Sequence, residues 1–361
     1  MKRRLLLVLV ALLLWGLAAC RQDPGPAAFV LVTDPRQEQQ GLSLVLQSAA
    51  EAQGMAATVV VATENTEQAR ISAIDAAVSG GAEGILCVGE AFAPVIYEAQ
   101  KLYPQVMFLL LDGEPKEKET QVYETAVNTH CILFREEQAG FLAGYAAVWE
   151  GYRSLGYCAG METSRSMRYG YGFVQGADTA AARLGLKQGE VSIRYWYVGK
   201  EASEELTKKK MADWYSQGVE LILGCDDDGT EVTKSLVSVA ETSGGKVMVT
   251  DGNWSMISPV VLASVEKNYP RAVWDALLTM TDGIWSSAQA GQTETLGAAE
   301  SGIVLLGNEG HWRLEHFSQE DSQSLLREMA RGDLTVDPGT NRDSLPATAF
   351  CTLKEHSEDG A

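Results

Sequence analysis

Short apolar segments alternate with longer amphipathic segments along most of this 361-residue sequence, and this alternation is the strongest constraint on its fold. The apolar segments are nearly continuous runs of Val, Ile, Leu and Ala, which is typical of strands in parallel sheets covered on both faces. Repeated strand–helix units therefore predict an α/β fold with parallel sheets. The predicted strands form two sets, 28–33, 58–63, 84–89 and 106–112, then 155–160, 191–199, 219–224 and 246–251.

Two sets of strands predict two lobes, because the chain is longer than one hydrophobic core usually needs. The remaining elements are a strand at 259–265, a helix at 270–284 and a strand at 302–306. These are too few for a third domain, so we expect them to complete the two sheets, which requires the chain to cross between the lobes more than once. The Ser-, Ala- and Gln-rich segment 286–300 predicts a loop, and the polar segment 355–361 predicts a disordered tail.

The first twenty residues have the pattern of a bacterial lipoprotein signal. Three basic residues precede an apolar run that ends in Leu-Ala-Ala-Cys20. The run has about fifteen residues, whereas a membrane-spanning helix needs about twenty. The pattern predicts that 1–19 is a cleaved signal peptide, that Cys20 is acylated, and that 20–27 is a polar tether. An ordinary secretory signal with a chance Cys at this position is the alternative.

The charge of the chain excludes several classes of partner. Lys and Arg total 29 against 48 Asp and Glu, so the formal net charge is −19. Such a chain is repelled by phosphate, which argues against nucleic-acid binding and against adhesion to an anionic leaflet. We therefore expect attachment to the cell membrane through the lipid on Cys20, because two or more acyl chains anchor a protein stably.

The residues that would indicate an enzyme or a metal site are missing from the sequence. The four His residues have no metal-ligand spacing, and no Gly-x-Ser-x-Gly nucleophile motif occurs. The glycine spacing of 224–230 is similar to a phosphate-binding loop, but the segment lacks the Lys and contains three Asp residues. The five Cys residues after Cys20 have no C-x-x-C pair, so we interpret them as small core side chains. We predict no catalytic activity, no cofactor and no metal.

Acidic residues follow several predicted strands at the edge where open α/β sheets bind ligands. They include Asp34, Asp112, Asp226 and Asp251, and Trp196 is one of several aromatic residues near the same edge. Together they predict a cleft that suits a neutral ring system with N–H and O–H donors. The alternative is that the acidic residues form turns or cap helices and that the aromatic residues pack in strands.

Four segments in consistent order resemble the basic membrane lipoprotein family, the substrate-binding lipoproteins of ABC importers whose characterised members take up purine nucleosides. The first contains Asn128, Phe134-Arg-Glu-Glu and Phe141-Leu-Ala-Gly144. The second contains Gly160-Met-Glu, followed by Tyr169-x-x-Gly-Phe-x-x-Gly-Ala177. The last two are Val249-Thr-Asp251 and Leu262-Ala-Ser-Val-Glu-Lys267.

The resemblance implies a type I periplasmic-binding-protein fold with two parallel-sheet lobes and a cleft between them. Lobe 1 would comprise 28–130 and 252–285, and lobe 2 would comprise 131–251 and 286–354. The protein would bind a nucleoside by hinge closure on the extracytoplasmic face of the membrane and present it to an ABC permease.

The resemblance also assigns ligand-binding roles to four residues that match family positions at the cleft. Asp112 and Asp251 would accept hydrogen bonds from the base or sugar, Tyr169 would stack, and Lys267 would donate to a hydroxyl. Asp34, Trp196 and Asp226 are candidates from their position alone.

Two loops depart from the family pattern. The segment 35–41 lacks the family's Phe and Asn, and the glycine-rich turn after the strand at 219–224 is replaced by Cys225-Asp-Asp-Asp-Gly. These changes indicate a different or more cationic solute. The alternative function is a lipid-anchored sensory binding protein for a sugar-like or cationic ligand.

Overall fold

The computed structural model describes residues 29–35, 40–199, 203–226, 231–250, 252, 254–306, 312–339 and 345–355. It confirms the α/β class with two sheets of mainly parallel strands. The strands described are β1 (Phe29–Thr33), β2 (Ala57–Val61), β3 (Gly84–Val88), β4 (Met107–Leu111), β5 (Thr129–Phe134), β6 (Ser154–Ala159), β7 (Val191–Tyr197), β8 (Leu221–Cys225), β9 (Lys246–Thr250), β10 (Val261–Lys267), β11 (Gln292–Leu296), β12 (Ile303–Leu306) and β13 (Cys351–Glu355).

Helices connect most consecutive strands, as a parallel sheet requires. The α-helices described are α1 (Gln40–Ala52), α2 (Glu67–Ser79), α3 (Ala93–Leu102), α4 (Glu136–Glu150), α5 (Ser164–Arg183), α6 (Glu204–Ser216), α7 (Val232–Ser243), α8 (Tyr269–Thr281), α9 (Trp285–Ala288) and α10 (Gln319–Ala330). Within these described ranges, no helix has both the length and the apolar character needed to cross a membrane.

The first sheet has the strand order β11-β5-β4-β3-β1-β2. β1 lies between β2 and β3 and pairs with both in parallel. Its residues are buried on both faces, which explains the continuous apolar run Phe-Val-Leu-Val in the sequence. The core around this sheet includes Val32, Ile74, Phe92 and Phe108, all of them almost fully buried.

The second sheet has the order β12-β10-β9-β8-β6-β7-β13, in which β12 runs antiparallel to β10. The strands β7, β6, β8 and β9 stand in the same relative order as β2, β1, β3 and β4 of the first sheet. Helices α4 and α5 contribute to the core cluster on one face, and α6 and α7 contribute to the cluster on the other. Each sheet is therefore covered on both faces.

The chain divides into two compact units. The first unit ends at Ile132 and includes Val273–Thr293, and the second comprises Leu133–Ala272 and the chain from Glu294 onwards. The chain thus passes between the units three times. The predicted division differs by two residues at the first boundary and more at the other two, since it placed 252–285 in lobe 1 and 286–354 in lobe 2. The segment 252–272 belongs to the second unit, because β10 pairs with β9 and β12 of the second sheet.

Other differences from the sequence analysis concern elements that were not predicted. The segment 286–300 is not only a loop, because it contains the end of α9 and the strand β11. The first four residues of β11 are polar and exposed, so backbone pairing rather than apolar burial defines this strand. The elements β5, α10 and β13 were not predicted either.

The described cysteines confirm their interpretation as core side chains. All five after Cys20 are buried free thiols. Burial raises the pKa of the Cys131 thiol to about 12, so this side chain stays protonated at neutral pH.

Candidate functional site

Each sheet has one point where the order of the parallel strands reverses. In the first sheet it lies between β1 and β3, and in the second between β6 and β8. Ligands of open α/β sheets bind outside the carboxyl ends of the strands at such a point. We call these places the first and second switch edges, and each is described within its own unit.

The first switch edge holds a buried carboxylate. Asp34 follows β1 and is only 2% exposed. Its Oδ2 accepts hydrogen bonds from Nε and Nη2 of Arg70 at 3.0 and 2.9 Å. Its Oδ1 is buried and has no hydrogen-bond partner among the described residues. Asp34 therefore retains one carboxylate oxygen without a described partner at the carboxyl end of β1, and we call this oxygen the open acceptor.

Arg70 lies on α2. Thr66 caps the start of this helix, since its hydroxyl accepts a hydrogen bond from the backbone N–H of Ala69. The guanidinium of Arg70 also donates to Oδ1 of Asn65. Its central carbon lies 5.6 Å from the ring centre of Phe92, which belongs to the short 3-10 helix after β3. Arg70 was not among the predicted site residues.

The sequence pattern of α2 does not single out Arg70, because apolar residues such as Ile71 and Val78 lie outside the buried face. The buried residues of α2 are Arg70, Ala73, Ile74 and Ala77, which form one face of the helix. A charged residue on an otherwise apolar face requires a buried partner of opposite charge. The structure identifies that partner as Asp34, which lies 36 residues earlier.

Asp112 also stands at the carboxyl edge of the first sheet. It follows β4, is half-buried, and its N–H donates to the carbonyl of Ile132 at 2.9 Å. Its φ is +57°, a left-handed conformation that Asp adopts more readily than most residues other than Gly. The structure places Asp112 at the predicted edge, and its contact with a ligand stays a prediction.

The carboxylate at the second switch edge is already engaged. Asp226 follows β8, and its Oδ1 accepts a hydrogen bond from the backbone N–H of Thr233 in the first turn of α7. Its backbone carbonyl accepts a hydrogen bond from Nη1 of Arg165 at 3.2 Å. Burial raises the pKa of the Asp226 side chain. These contacts correspond to the helix-capping alternative, and ligand binding by Asp226 stays a prediction.

Helix α5 begins at the second switch edge, and its position is set by close packing on α4. A Cβ on Gly140 or Gly144 of α4 would overlap the carbonyl oxygens of Tyr169 and Phe173. Reciprocally, a Cβ on Gly172 would overlap the Glu137 carbonyl oxygen. The glycines of the two motifs quoted above therefore let the backbones of the two helices touch, as small-residue helix contacts do.

This helix contact gathers a buried ionic cluster that includes Lys267. Glu136, at the start of α4, is 5% exposed. Its Oε1 lies 3.5 Å from Nζ of Lys267, and its Oε2 accepts a hydrogen bond from Nη1 of Arg168 at 3.3 Å. The Lys267 side chain is fully buried. Glu136 was not among the predicted site residues, although it stands in the Phe134-Arg-Glu-Glu motif.

Tyr169 lies beside this cluster but does not present a free ring. It is fully buried, with the guanidinium carbon of Arg165 at 5.9 Å from its ring centre. Burial raises the pKa of its hydroxyl, whereas Lys267 and Arg165 lower it. The hydroxyl has no hydrogen-bond partner within the described part of the chain. In this conformation the open group of Tyr169 is its O–H rather than its ring face, so stacking stays a prediction.

Trp196 makes the contacts of ordinary sheet–helix packing. It lies on β7, half-buried, with its ring centre 6.4 Å from that of Trp214 on α6. Nζ of Lys210, also on α6, lies 5.8 Å from the same ring. The strand-packing alternative therefore describes the observed contacts of Trp196. Asp251 and Cys20 lie outside the described residues.

Two arrangements of site residues thus result from the structure. Asp34 is joined to Arg70 in the first unit, and Lys267 and Tyr169 are gathered around Glu136 in the second. Within the described ranges, no group of three or more His, Cys, Asp or Glu residues is placed to hold a metal ion. The site chemistry is that of hydrogen bonding by buried charged and hydroxyl groups.

The sequence profile of the Bmp family, described as ABC transporter substrate-binding protein PnrA-like, matches residues 37–328. The chain belongs to the Bmp family. This match confirms the resemblance on which the sequence analysis relied. Bmp membership identifies the protein as an ABC transporter substrate-binding protein, with a small-molecule ligand and an ABC transporter as partner. No curated protein matches the sequence significantly.

Solved structures place this Bmp protein among periplasmic-binding-protein-like folds. It is similar to a solute-binding protein of an ABC transporter system from Aeropyrum pernix K1, with 20% identity, a TM-score of 0.64, and coverage of 87% of this chain and 94% of that one. A second, from Conexibacter woesei, has 16% identity, a TM-score of 0.66, and coverage of 86% and 99%. A transcriptional activator of the comK gene from Bacillus halodurans has 15% identity, a TM-score of 0.65, and coverage of 84% and 96%. At these identities the likeness concerns the fold alone.

Proposed function

We propose that this Bmp protein is a lipid-anchored binding protein for a nucleoside-like solute, which it delivers to an ABC permease. The observation that carries the proposal is the open Oδ1 of Asp34 at the first switch edge. A buried carboxylate oxygen without a partner is costly, and a hydroxyl or amino group of a bound solute would satisfy it.

An open hydroxyl group in the second unit indicates that the solute also has acceptor atoms. The Tyr169 hydroxyl is buried without a described partner, beside the Lys267–Glu136 pair. A nucleoside has sugar hydroxyls and, in most bases, an amino group as donors, together with ring nitrogens and carbonyl oxygens as acceptors. For each unit taken by itself, a nucleoside therefore has a group that can bind the open atom, whereas a simple cation has no acceptor for the Tyr169 hydroxyl. We propose binding without catalysis.

A ligand panel tests this proposal. Purified protein lacking 1–19, with Cys20 replaced by Ser for solubility, is screened by thermal shift with purine and pyrimidine nucleosides, neutral sugars and small organic cations. We expect the largest rise in melting temperature with a nucleoside, since ligand that binds only the folded state stabilises it. Calorimetry then measures the affinity. Stabilisation by a sugar or a cation, but by no nucleoside, would contradict the proposed ligand class.

Lipid anchoring is tested in cells. We expect the wild type to partition into the detergent phase of membrane extracts and the Cys20→Ala variant to leave it or remain unprocessed. A Cys351→Ala variant serves as the control for loss of a thiol elsewhere. A Cys20→Ala variant that is cleaved like the wild type and still partitions equally into the detergent phase would refute the anchor. Hinge closure also stays a prediction, and small-angle scattering with and without the ligand tests whether binding makes the protein more compact.

A further inference from the structure

The Asp34–Arg70 pair differs from an ordinary acidic ligand contact because its charge is already balanced inside the protein. Asp34 is 2% and Arg70 is 8% exposed, so both charges are buried. Two N–H groups of the guanidinium donate to the same oxygen, Oδ2. The pair therefore has no net charge, yet it leaves Oδ1 open as an acceptor.

We propose that Arg70 makes the first switch edge selective for an uncharged hydroxyl or amino group of the solute, and against a cation. The inference rests on the proposed function and specifies which chemical group this edge accepts. The two loops that depart from the family pattern indicate a different or more cationic solute, and this inference favours a different solute over a more cationic one.

The physical reason is the position of the guanidinium next to the open oxygen. An ammonium group on Oδ1 would lie about 5–6 Å from the Arg70 guanidinium, given the size of a carboxylate and ordinary hydrogen-bond lengths. In a buried site, repulsion at this distance offsets much of the attraction to the carboxylate. A neutral donor gains the hydrogen bond without this repulsion and without the larger cost of dehydrating a cation.

Other charges near this edge do not restore the attraction for a cation that Arg70 offsets. Glu90, which follows β3, lies 3.7 Å from Nζ of Lys116, so this second pair is also balanced. Cys87 is a buried thiol whose pKa is raised by burial and by Asp34, so it is neutral. Asp112 follows β4, which β3 separates from β1, about 10 Å away at ordinary strand spacing. Selectivity at Oδ1 is therefore set mainly by Arg70.

The inference is tested by comparing a neutral nucleoside with two cationic analogues of it. The probes are adenosine, 3′-amino-3′-deoxyadenosine and 5′-amino-5′-deoxyadenosine, measured by calorimetry at pH 6, where the amino groups are largely protonated. For each amino analogue, the measured quantity is the ratio of the affinity for adenosine to the affinity for that analogue. The variants are Arg70→Gln, Arg70→Lys and Asp34→Asn. The control is Arg183→Gln, which breaks the Arg183–Glu328 ion pair between α5 and α10 in the second unit.

We expect the wild type to prefer adenosine over at least one amino analogue. Arg70→Gln leaves the Asp34 charge unbalanced, so the ratio should shift toward that analogue by about tenfold. Asp34→Asn leaves the Arg70 charge unbalanced, so the ratio should shift by a similar factor in the opposite direction. Arg70→Lys keeps the charge and should change the ratio less than about threefold, as should Arg183→Gln.

Three outcomes overturn the inference. One is a wild type that prefers both amino analogues. Another is an unchanged ratio in Arg70→Gln and Asp34→Asn, even if both melt at lower temperature, because Arg70 would then have only a structural role. If Arg70→Gln does not fold, an unchanged ratio in Asp34→Asn alone has the same force. Failure of the wild type to bind any nucleoside would instead refute the proposed function, and the inference with it.

Discussion

The two switch edges have the same strand order but treat their carboxylates differently. At the first, Asp34 is buried, paired with a buried Arg70, and retains one open oxygen. At the second, Asp226 is half-buried and accepts a hydrogen bond from the first turn of α7. The open group beside that edge is a donor, the Tyr169 hydroxyl. Position at a switch point therefore does not determine the role of an acidic residue, because its remaining partners do.

The two units also differ in how their helices are held. In the second unit, α4 and α5 touch through glycines, and this contact places Glu136, Arg168 and Tyr169 together. In the first unit, α2 packs on its sheet through side chains such as Ile74 and Ala77. The second arrangement leaves no room for even one methyl group, whereas the first has the ordinary tolerance of a side-chain core.

The largest effect is expected from Gly144→Ala. The new methyl group would overlap the Phe173 carbonyl oxygen, so the helices must separate. We expect a loss of about 3 kcal/mol or more in unfolding free energy, measured by urea denaturation, because overpacking exceeds the gain in helix propensity. Gly80→Ala in the first unit is the control, since its Cβ would meet the nearest atoms at 3.3 Å. Equal losses in the two variants would remove this difference between the units.

Glu266 is a carboxyl group that, unlike Asp34, has no ion-pair partner among the described residues. It lies on β10, its Oε1 is buried without a described partner, and burial raises its pKa from 4.5 to about 7. Because the folded state holds the proton more tightly than the unfolded state, Glu266 contributes to the free energy of unfolding at low pH. This contribution decreases as the pH rises from 4.5 to 7. The decrease amounts to about 3 kcal/mol.

The Glu266→Gln variant tests this pH dependence. Gln resembles the protonated Glu, so the variant should lose stability less steeply than the wild type between pH 5 and pH 7.5, measured by chemical denaturation. Glu51→Gln changes an exposed carboxyl group and should keep the wild-type profile. If Glu266→Gln and wild type have parallel profiles, the buried carboxyl group does not titrate as inferred.

Asp34→Asn tests the open acceptor of the first switch edge. The charge-assisted hydrogen bond to the solute is replaced by a weaker one, so nucleoside affinity should fall about 10- to 100-fold, or about 1.4–2.7 kcal/mol. Calorimetry measures the affinity, and thermal denaturation measures stability separately. A variant that melts lower but binds as tightly as the wild type would show that Asp34 only anchors Arg70.

Asp226→Ala changes the carboxylate at the second switch edge and should have the smallest effect. Loss of the hydrogen bond to the Thr233 N–H should cost about 1 kcal/mol in unfolding free energy, as for other helix caps. Nucleoside affinity should change less than about threefold. A tenfold or greater loss of affinity would mean that both edges bind ligand through a carboxylate, and the difference between them would disappear.

Much of the fold was predictable because buried parallel strands leave a continuous apolar pattern. β1, β3, β4 and β8 were located from Val, Ile and Leu runs, and the structure confirms them within a few residues. β11 and β13 were not located, because exposed or edge strands are held by backbone pairing. β13, for example, begins at Cys351, whose N–H is one of three that donate to the carboxylate of Asp178. No local pattern encodes such a contact.

For the site, the sequence by itself determined which residue types stand after the strands and that their edge suits hydrogen-bonding groups. It also carried the glycines of α4 and α5, which belong to two of the four segments that resemble the Bmp family, before their packing role was visible. Only the tertiary structure decided that Asp34 is paired with Arg70 and that Asp226 serves α7. The reason is that the role of a polar group depends on which partners fill its hydrogen-bonding capacity, and for Asp34 that partner lies 36 residues away on another element.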